Sequence, residues 1–288
     1  MEKTDLGDAQ RVVLLDNGSL SPDAVLQARS IANALSDRTG MPVDAVSVLH
    51  SDRIDDKELG GAPGAVWESY LEEADRLGVR RLLVLPLFFG PSYGLRKAKA
   101  LAASFEEAAR DRRIDWAEPL AAGKAVGLVD LMTQDVIQLL DTVESGVPIV
   151  DSDKLPLVLL VDHGSPFQEV AECRNRIAGE LKSRLKGRAR SVIACSMERR
   201  EGDRYAFNEP LLADALNSAA QEQPRSIILS RLFLFPGRHA GPGGDIDLIC
   251  QASKWAQSGG TIQATPLLGT NAGLVDLLEL RFQSIRDA

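Results

Sequence analysis

The chain is poor in the residue types that most often carry chemistry. It has three cysteines and three histidines in 288 residues. The cysteines are scattered and none forms a C-x-x-C pair, so a reduced, cytoplasmic setting is the expectation. Cys195 and Cys250 read as small core residues rather than ligands. No run of 18 apolar residues occurs, which excludes a transmembrane helix of ordinary length. Neither a P-loop lysine motif nor G-x-G-x-x-G is present, so nucleotide-driven chemistry has no visible support. A basic excess is also missing: 41 Asp and Glu stand against 33 Lys and Arg. That argues against a nucleic-acid partner. The first eight residues, Met1 to Asp8, are polar and acidic and do not read as a signal peptide.

Against this background the chain repeats itself. Leu14-Leu15-Asp16-Asn17-Gly18-Ser19 matches Leu160-Val161-Asp162-His163-Gly164-Ser165 at an offset of 146. The same offset aligns Val84 to Phe89 with Ser230 to Phe235, pairs Tyr93 with His239 and sets Asp52 opposite Glu198. Glu118-Pro119-Leu120 matches Thr265-Pro266-Leu267 with a slip of one residue. Two copies of one unit imply two lobes. The expected division is residues 1–146, a linker over 147–154 whose Gly, Pro and charge lack any period, and residues 155–288.

Each copy alternates strand and helix. In the second, 157–161, 191–195, 226–235 and 261–264 read as strands. Stretches 171–185, 206–220, 245–255 and 274–285 read as helices. The first copy follows the same order. Apolar strands without alternation, separated by helices, predict an α/β fold with a parallel sheet covered on both faces. The expectation is two tandem four-stranded parallel lobes.

Two of the three histidines sit in Gly-rich turns directly after apolar runs. His163 lies in Val161-Asp162-His163-Gly164-Ser165-Pro166. His239 lies in Phe235-Pro236-Gly237-Arg238-His239-Ala240-Gly241. Glu198 follows the second strand. All three should emerge at the carboxyl edge of one sheet, where α/β folds place their ligands. Two imidazoles and a carboxylate suit a borderline divalent ion with positions left open, and the same groups can accept protons. Gly237 can let a flat ligand approach the backbone. Arg199, Arg200, Arg204 and Arg238 are a local basic exception whose forks suit carboxylates, with Arg238 the best placed. Asn208 reads as a cap, a turn residue or a ligand contact.

Three segments carry a family resemblance: His163-Gly164-Ser165; Met197-Glu198 with Asn208-Glu209-Pro210-Leu211-Leu212; and Leu232-Phe233-Leu234 running into Gly237-Arg238-His239 and Gly243-Gly244-Asp245-Ile246. In this set the chain resembles the class II chelatases, specifically the sirohydrochlorin cobaltochelatases and ferrochelatases, in their long duplicated form. The resemblance implies ATP-independent insertion of Co²⁺ or Fe²⁺ into sirohydrochlorin or a related tetrapyrrole, in cobalamin or siroheme synthesis. It implies that His163, His239 and Glu198 hold the metal and take pyrrole protons. It places Ser165, Gly237, Arg238, Asn208 and Tyr93 against the tetrapyrrole, with Phe88 or Phe89 as further stacking partners. The first copy has Asn17, Asp52 and Tyr93 at the matching positions, so one active centre is expected, in the second lobe at a cleft facing the first. His50 reads as a turn or core-edge residue. No cofactor beyond the substrate metal, no iron–sulfur cluster, no membrane and no nucleic acid are expected, and the chain is a monomer or homodimer. Two other readings stay open: a metal- or tetrapyrrole-binding protein without turnover, and a metal-dependent hydrolase using Ser165, although no G-x-S-x-G elbow is present.

Overall fold

The computed structural model describes residues 10–122, 126–144 and 155–287. The duplication is visible as two separate parallel sheets. The first runs β1 (Gln10–Asp16), α1 (Pro22–Thr39), β2 (Val43–Ser47), α2 (Trp67–Arg76), β3 (Arg81–Pro86), α3 (Tyr93–Glu107) and β4 (Arg113–Trp116). After α4 (Val126–Glu144) the second runs β5 (Leu157–Asp162), α5 (Gln168–Arg184), β6 (Ser191–Ser196), α6 (Leu212–Glu222), β7 (Ile227–Arg231), α7 (Asp245–Ala252), α8 (Lys254–Gln257), β8 (Ile262–Ala264) and α9 (Gly273–Arg286). Strand orders are β2-β1-β3-β4 and β6-β5-β7-β8, every pairing parallel. The apolar runs become central strands because both sheet faces are covered. Leu157, Leu159 and Val161 join one core cluster, while Val158 and Leu160 are buried on the opposite face. No helix among the described residues is long and apolar enough to cross a membrane.

Three element boundaries differ from expectation. The strand expected over 226–235 stops at Arg231, because Leu232 onward turns into the Gly-rich loop. The helix expected from 206 starts at Leu212, after a short 3₁₀ segment, Asp203–Asn208. The helix expected over 245–255 is two helices, broken where extended Ser253 caps the second by accepting from Ala256 N–H.

The compact units also divide differently from the sequence repeat. Residues 10–122 pack together with 272–287, and residues 126–144 with 155–271. Helix α9 lies on α1 and β3 of the first unit. There Arg81 donates to the Ile285 and Arg286 carbonyls, and Arg38 pairs with Asp276 and Glu279. Helix α4 lies on α5 and β7 of the second unit, tied by Arg184 to Asp130 and by Arg188 to Asp141. Each terminal helix thus leaves the repeat that encodes it. The segment expected as a linker, 147–154, lies outside the described residues.

One difference between the units has a measurable consequence. In both, an aspartate ends the first strand and accepts from the glycine two residues on: Gly18 N–H to Asp16 and Gly164 N–H to Asp162, each at 3.1 Å. Asp162 faces Arg174 on α5, whereas the matching position on α1 is Ala28. Asp16 is buried without that cation, and burial raises its pKa from 3.8 to about 6. The folded state therefore binds this proton more tightly than the unfolded chain. The stability this group contributes is present in full below pH 4, is lost as pH rises through the interval up to about 6, and stays absent above it. A gap of about two pKa units corresponds to about 3 kcal/mol. Asp16→Asn is expected to flatten this slope and to be more stable than wild type at pH 7.5 but not at pH 4.5. Urea unfolding at the two pH values checks it; parallel pH profiles for both proteins would refute the assignment.

Candidate metal centre

The two loop histidines sit where the order of the second sheet reverses. The chain leaves β5 for β6 on one side and returns across it to β7 on the other, so the carboxyl ends of β5 and β7 flank the switch point. His163 follows β5 directly. Its exposure there is set by Gly164, whose φ of +92° is reserved for glycine and whose missing Cβ would fall 2.0 Å from the Glu198 carbonyl. That close approach lays the end of β6 against the turn: Met197 N–H donates to the Asp162 carbonyl at 2.8 Å and Glu198 N–H to the His163 carbonyl at 3.3 Å. Glu198 is thereby brought beside His163. His239 arrives from a tight loop closed by Gly241 N–H to Gly237 O, Gly244 N–H to Gly241 O and Ile246 N–H to His239 O. A Cβ at Gly244 would meet three of that loop's carbonyls within 2.9 Å.

The two imidazoles face each other. His163 Nε2 lies 3.3 Å from His239 Nε2, with ring planes at 74°, and 3.6 Å from Glu198 Oε1. The outer nitrogens are both committed. His163 Nδ1 lies 3.0 Å from the Gly164 carbonyl and His239 Nδ1 2.7 Å from Asp245 Oδ2. A carbonyl or carboxylate oxygen can only accept, so each neutral ring carries its proton on Nδ1 and turns an Nε2 lone pair inward. Two lone pairs 3.3 Å apart repel unless a cation lies between them. Two nitrogens bound tetrahedrally at 2.0–2.1 Å from one ion would stand about 3.3–3.4 Å apart, the same spacing. Among the described residues no three His, Cys, Asp or Glu side chains form a ready-made metal cage. The centre is an open imidazole pair with a carboxylate at its side.

Beneath it lies a buried polar network that the sequence reading missed. Arg174, 1% exposed, donates through Nη1 to Asp162 Oδ1 at 3.4 Å, to the Asn208 carbonyl at 3.3 Å and to Ser196 Oγ. Its Nη2 reaches the Phe207 carbonyl at 3.1 Å. Ser196 Oγ donates to Asp162 at 2.6 Å. Asn208 is fully buried; its amide oxygen accepts from Ser165 N–H and its amide nitrogen donates to the Ser165 carbonyl, each at 2.9 Å. The expectation that Asn208 touches a ligand is therefore corrected: its amide is used in holding the Ser165 backbone. Ser165 Oγ accepts from Phe167 N–H. On the other side Arg231 donates to the Thr265 carbonyl at 2.8 Å and to the Ala240 carbonyl at 3.3 Å, next to His239.

The basic residues divide by engagement. Arg199 pairs with Glu209 at 2.9 Å and donates to the Gly202 carbonyl, and Arg204 stacks over the Tyr205 ring. Arg238 stands 83% exposed, with Asp245 at 3.4 Å. At Gly237 a Cβ would meet nothing within 4 Å, so the backbone there is open. Cys195 is a core residue as expected, and Cys250 is partly buried against the same core. Cys195 is fully buried, and burial raises the Cys195 thiol to about 12 and the Cys250 thiol to about 11, too high for a ready thiolate.

In the first unit the pairings made at a constant offset need correction. Val12 pairs with Val43 and Val158 with Val192, so the offset of 146 on β1 becomes 149 on β2. The carbonyl standing over Gly18 belongs to Leu49, as that of Glu198 stands over Gly164. Leu49, not Asp52, is the structural match of Glu198; Asp52 lies exposed on a later 3₁₀ turn. Tyr93 is likewise no counterpart of His239. The β3–α3 loop runs only from Leu87 to Ser92, whereas that of the second unit runs from Leu232 to Gly244. Tyr93 is the exposed first residue of α3, matching Asp245 of α7. Asn17 does approach this helix start, since a Cβ on Gly94 would lie 2.2 Å from its Oδ1. Phe88 is buried in the first core and is not available for stacking; Phe89 is half-buried. His50 occupies a left-handed turn at φ 73°.

The chain is thus a duplicated α/β protein of two parallel-sheet units, with an open pair of imidazoles at the switch point of the second. Residues 157–285 match the sequence model of the CbiX family. No curated protein sequence matches the chain. Among solved structures the chain is similar to SirB from Bacillus subtilis with Fe³⁺, at 14% identity, TM-score 0.70 and coverage of 96% of this chain and 95% of that one. It is also similar to the sirohydrochlorin chelatase SirB from Bacillus subtilis subspecies spizizenii in complex with cobalt, at 15% identity, TM-score 0.65 and the same coverage. The sequence motifs are thus met by a CbiX pattern over residues 157–285 and by a fold similar to that of the SirB structures.

Proposed function

We propose that this chain is an ATP-independent chelatase that inserts a divalent ion, Co²⁺ or Fe²⁺, into sirohydrochlorin or a related tetrapyrrole, in the synthesis of cobalamin or siroheme. The observation that carries the reading is the pair of inward Nε2 lone pairs of His163 and His239, with Glu198 beside them. The CbiX pattern and the SirB fold support it, as do the iron and cobalt held by the SirB structures.

Insertion must strip water from the ion and remove two pyrrole N–H protons. Few protein ligands favour transfer: an ion held by two imidazoles and a carboxylate is stabilised further by moving to four pyrrole nitrogens. Once the ion leaves, the same two Nε2 atoms are free to accept the two protons. Asp245 stabilises the resulting positive charge on His239 through its Nδ1 contact. Arg238, exposed at the rim, supplies a fork for carboxylate arms of the macrocycle. Ser165 and open Gly237 complete the proposed lining.

The test is an absorbance assay of sirohydrochlorin with Co²⁺, Fe²⁺ or Ni²⁺ at neutral pH without ATP. Metallation faster than the protein-free rate is expected with at least one ion. A shifted tetrapyrrole spectrum at the protein-free rate would instead make this a binding protein on the same fold. An unchanged spectrum would discard the tetrapyrrole.

A further inference from the structure

The two units of this chain serve as each other's control. Both build the same strand-to-turn junction, with an aspartate accepting from a glycine N–H and a left-handed glycine pressed under a carbonyl. The first unit does so without an arginine: Ala28 stands where Arg174 stands in the second. The register that pairs Leu15 with Pro86 pairs Val161 with Arg231, so Arg231 too has no counterpart. The fold therefore forms without either guanidinium. Both occur only in the unit that carries histidines at its sheet edge.

We propose that Arg174 and Arg231 are positioning residues, each fixing one of the two metal-facing imidazoles. Arg174 joins three segments that are far apart in sequence. These are the end of β5 through Asp162, the end of β6 through Ser196, and the Phe207–Asn208 carbonyls. Asp162 then holds Gly164 N–H, and Asn208 holds both sides of the Ser165 peptide, so His163 is clamped from either flank. Because Glu198 follows Ser196 by two residues, the same guanidinium sets the carboxylate against His163. Arg231 binds the Thr265 carbonyl past β8 and the Ala240 carbonyl, which fixes the residue after His239. A spacing of 3.3 Å between two nitrogens on separate loops tolerates little drift, and groups that orient ligands in this way are typically worth about 10- to 100-fold in metal affinity. The inference rests on the chelatase reading only for the claim that His163 and His239 receive the metal.

With three histidines in the full chain, the ring ¹⁵N resonances can be assigned one by one. Arg174→Ala is expected to move the His163 ring shifts more than those of His239 and to leave those of His50 in place; Arg231→Ala is expected to move those of His239 most. Co²⁺ affinity, followed by its visible d–d bands, is expected to fall about 10- to 100-fold in each, with Arg174→Lys recovering part of the loss. Thermal melts establish that the variants are folded. If Arg174→Ala does not fold, the Asp162→Asn/Arg174→Met pair removes both buried charges together and carries the test. Folded variants with wild-type ring shifts and wild-type Co²⁺ affinity would overturn the proposal. A wild-type protein that binds Co²⁺ through these rings without metallating sirohydrochlorin removes the chelatase reading and leaves the positioning claim to the same shifts. If Co²⁺ disturbs neither ring in wild type, both fall.

Discussion

Alanine at His163 or His239 is expected to lower the rate of metal insertion by at least about 100-fold, the usual range for losing a positioned acid–base group. Each ring is asked to do two things, hold the ion and take a proton, and the surviving ring cannot substitute because its Nε2 faces only one point. The losses should not add. The pair acts as a unit, so the double variant is expected to be about as slow as either single one. Asp245→Asn tests the electronic part separately. It keeps the shape but removes the carboxylate that holds His239 Nδ1, and about a 10-fold loss is expected with the fold intact. Single-turnover absorbance traces with saturating metal measure all four variants. Singles within a few-fold of wild type would remove the imidazole pair from the chemistry, whatever the protein binds.

A chain ending at residue 271 is expected to lose the fold of its first unit and keep that of its second. Helix α9 buries Leu274, Leu277, Leu278, Phe282 and Ile285. At about 1.5–3 kcal/mol per buried side chain this is roughly 7–15 kcal/mol of burial, as large as the whole stability of an ordinary domain. The loss falls on the first unit, where α9 covers α1 and β3. By the same reasoning a fragment spanning 123–271 is expected to melt cooperatively. A fragment cut at the sequence repeat, 155–288, lacks α4 and with it the buried Leu128, Val129, Met132, Val136 and Leu140. Circular dichroism melts and amide proton dispersion of the two fragments distinguish these outcomes. A cooperative, well-dispersed 155–288 fragment would show that α4 is dispensable. The point bears on how the CbiX pattern is read, because its match over 157–285 includes α9 and omits α4.

How much was legible in the sequence depended on the range of the interaction concerned. The parallel α/β class followed from apolar runs alternating with helices, and four strands per unit are found in the expected order. Errors came where a constant offset was carried across loops. The second unit has a longer connection before β6 and a longer one after β7, so Asp52 and Tyr93 were matched to Glu198 and His239 although they lie elsewhere. Asn208 reads from the sequence as a cap, a turn residue or a ligand contact, but its burial is not legible there, because a buried amide and an exposed one look the same in a string. Arg174 carries no signal of its own, and Asp245 enters only within Gly243-Gly244-Asp245-Ile246, with no role attached. The arginine reads as one more charge on a polar helix, and the aspartate as an ordinary residue of a helix's first turn.

What the sequence determined by itself was set by local forces. A His-Gly step after an apolar run must emerge at a strand's carboxyl end, and the left-handed turn at Gly164 needs glycine whatever surrounds it. Those two facts place His163 at the edge of a sheet, and the apolar run that ends in a Gly-rich turn places His239 at the same edge. What only the tertiary structure decided was set by contacts between segments far apart in the chain. The Nε2 atoms meet because β7 lies beside β5, and their lone pairs point inward because Gly164 and Asp245 occupy the outer nitrogens. The terminal helices were decided the same way. An amphipathic pattern shows which face of a helix must be covered, but every buried sheet offers an apolar face, and only the folded chain shows which sheet covers it.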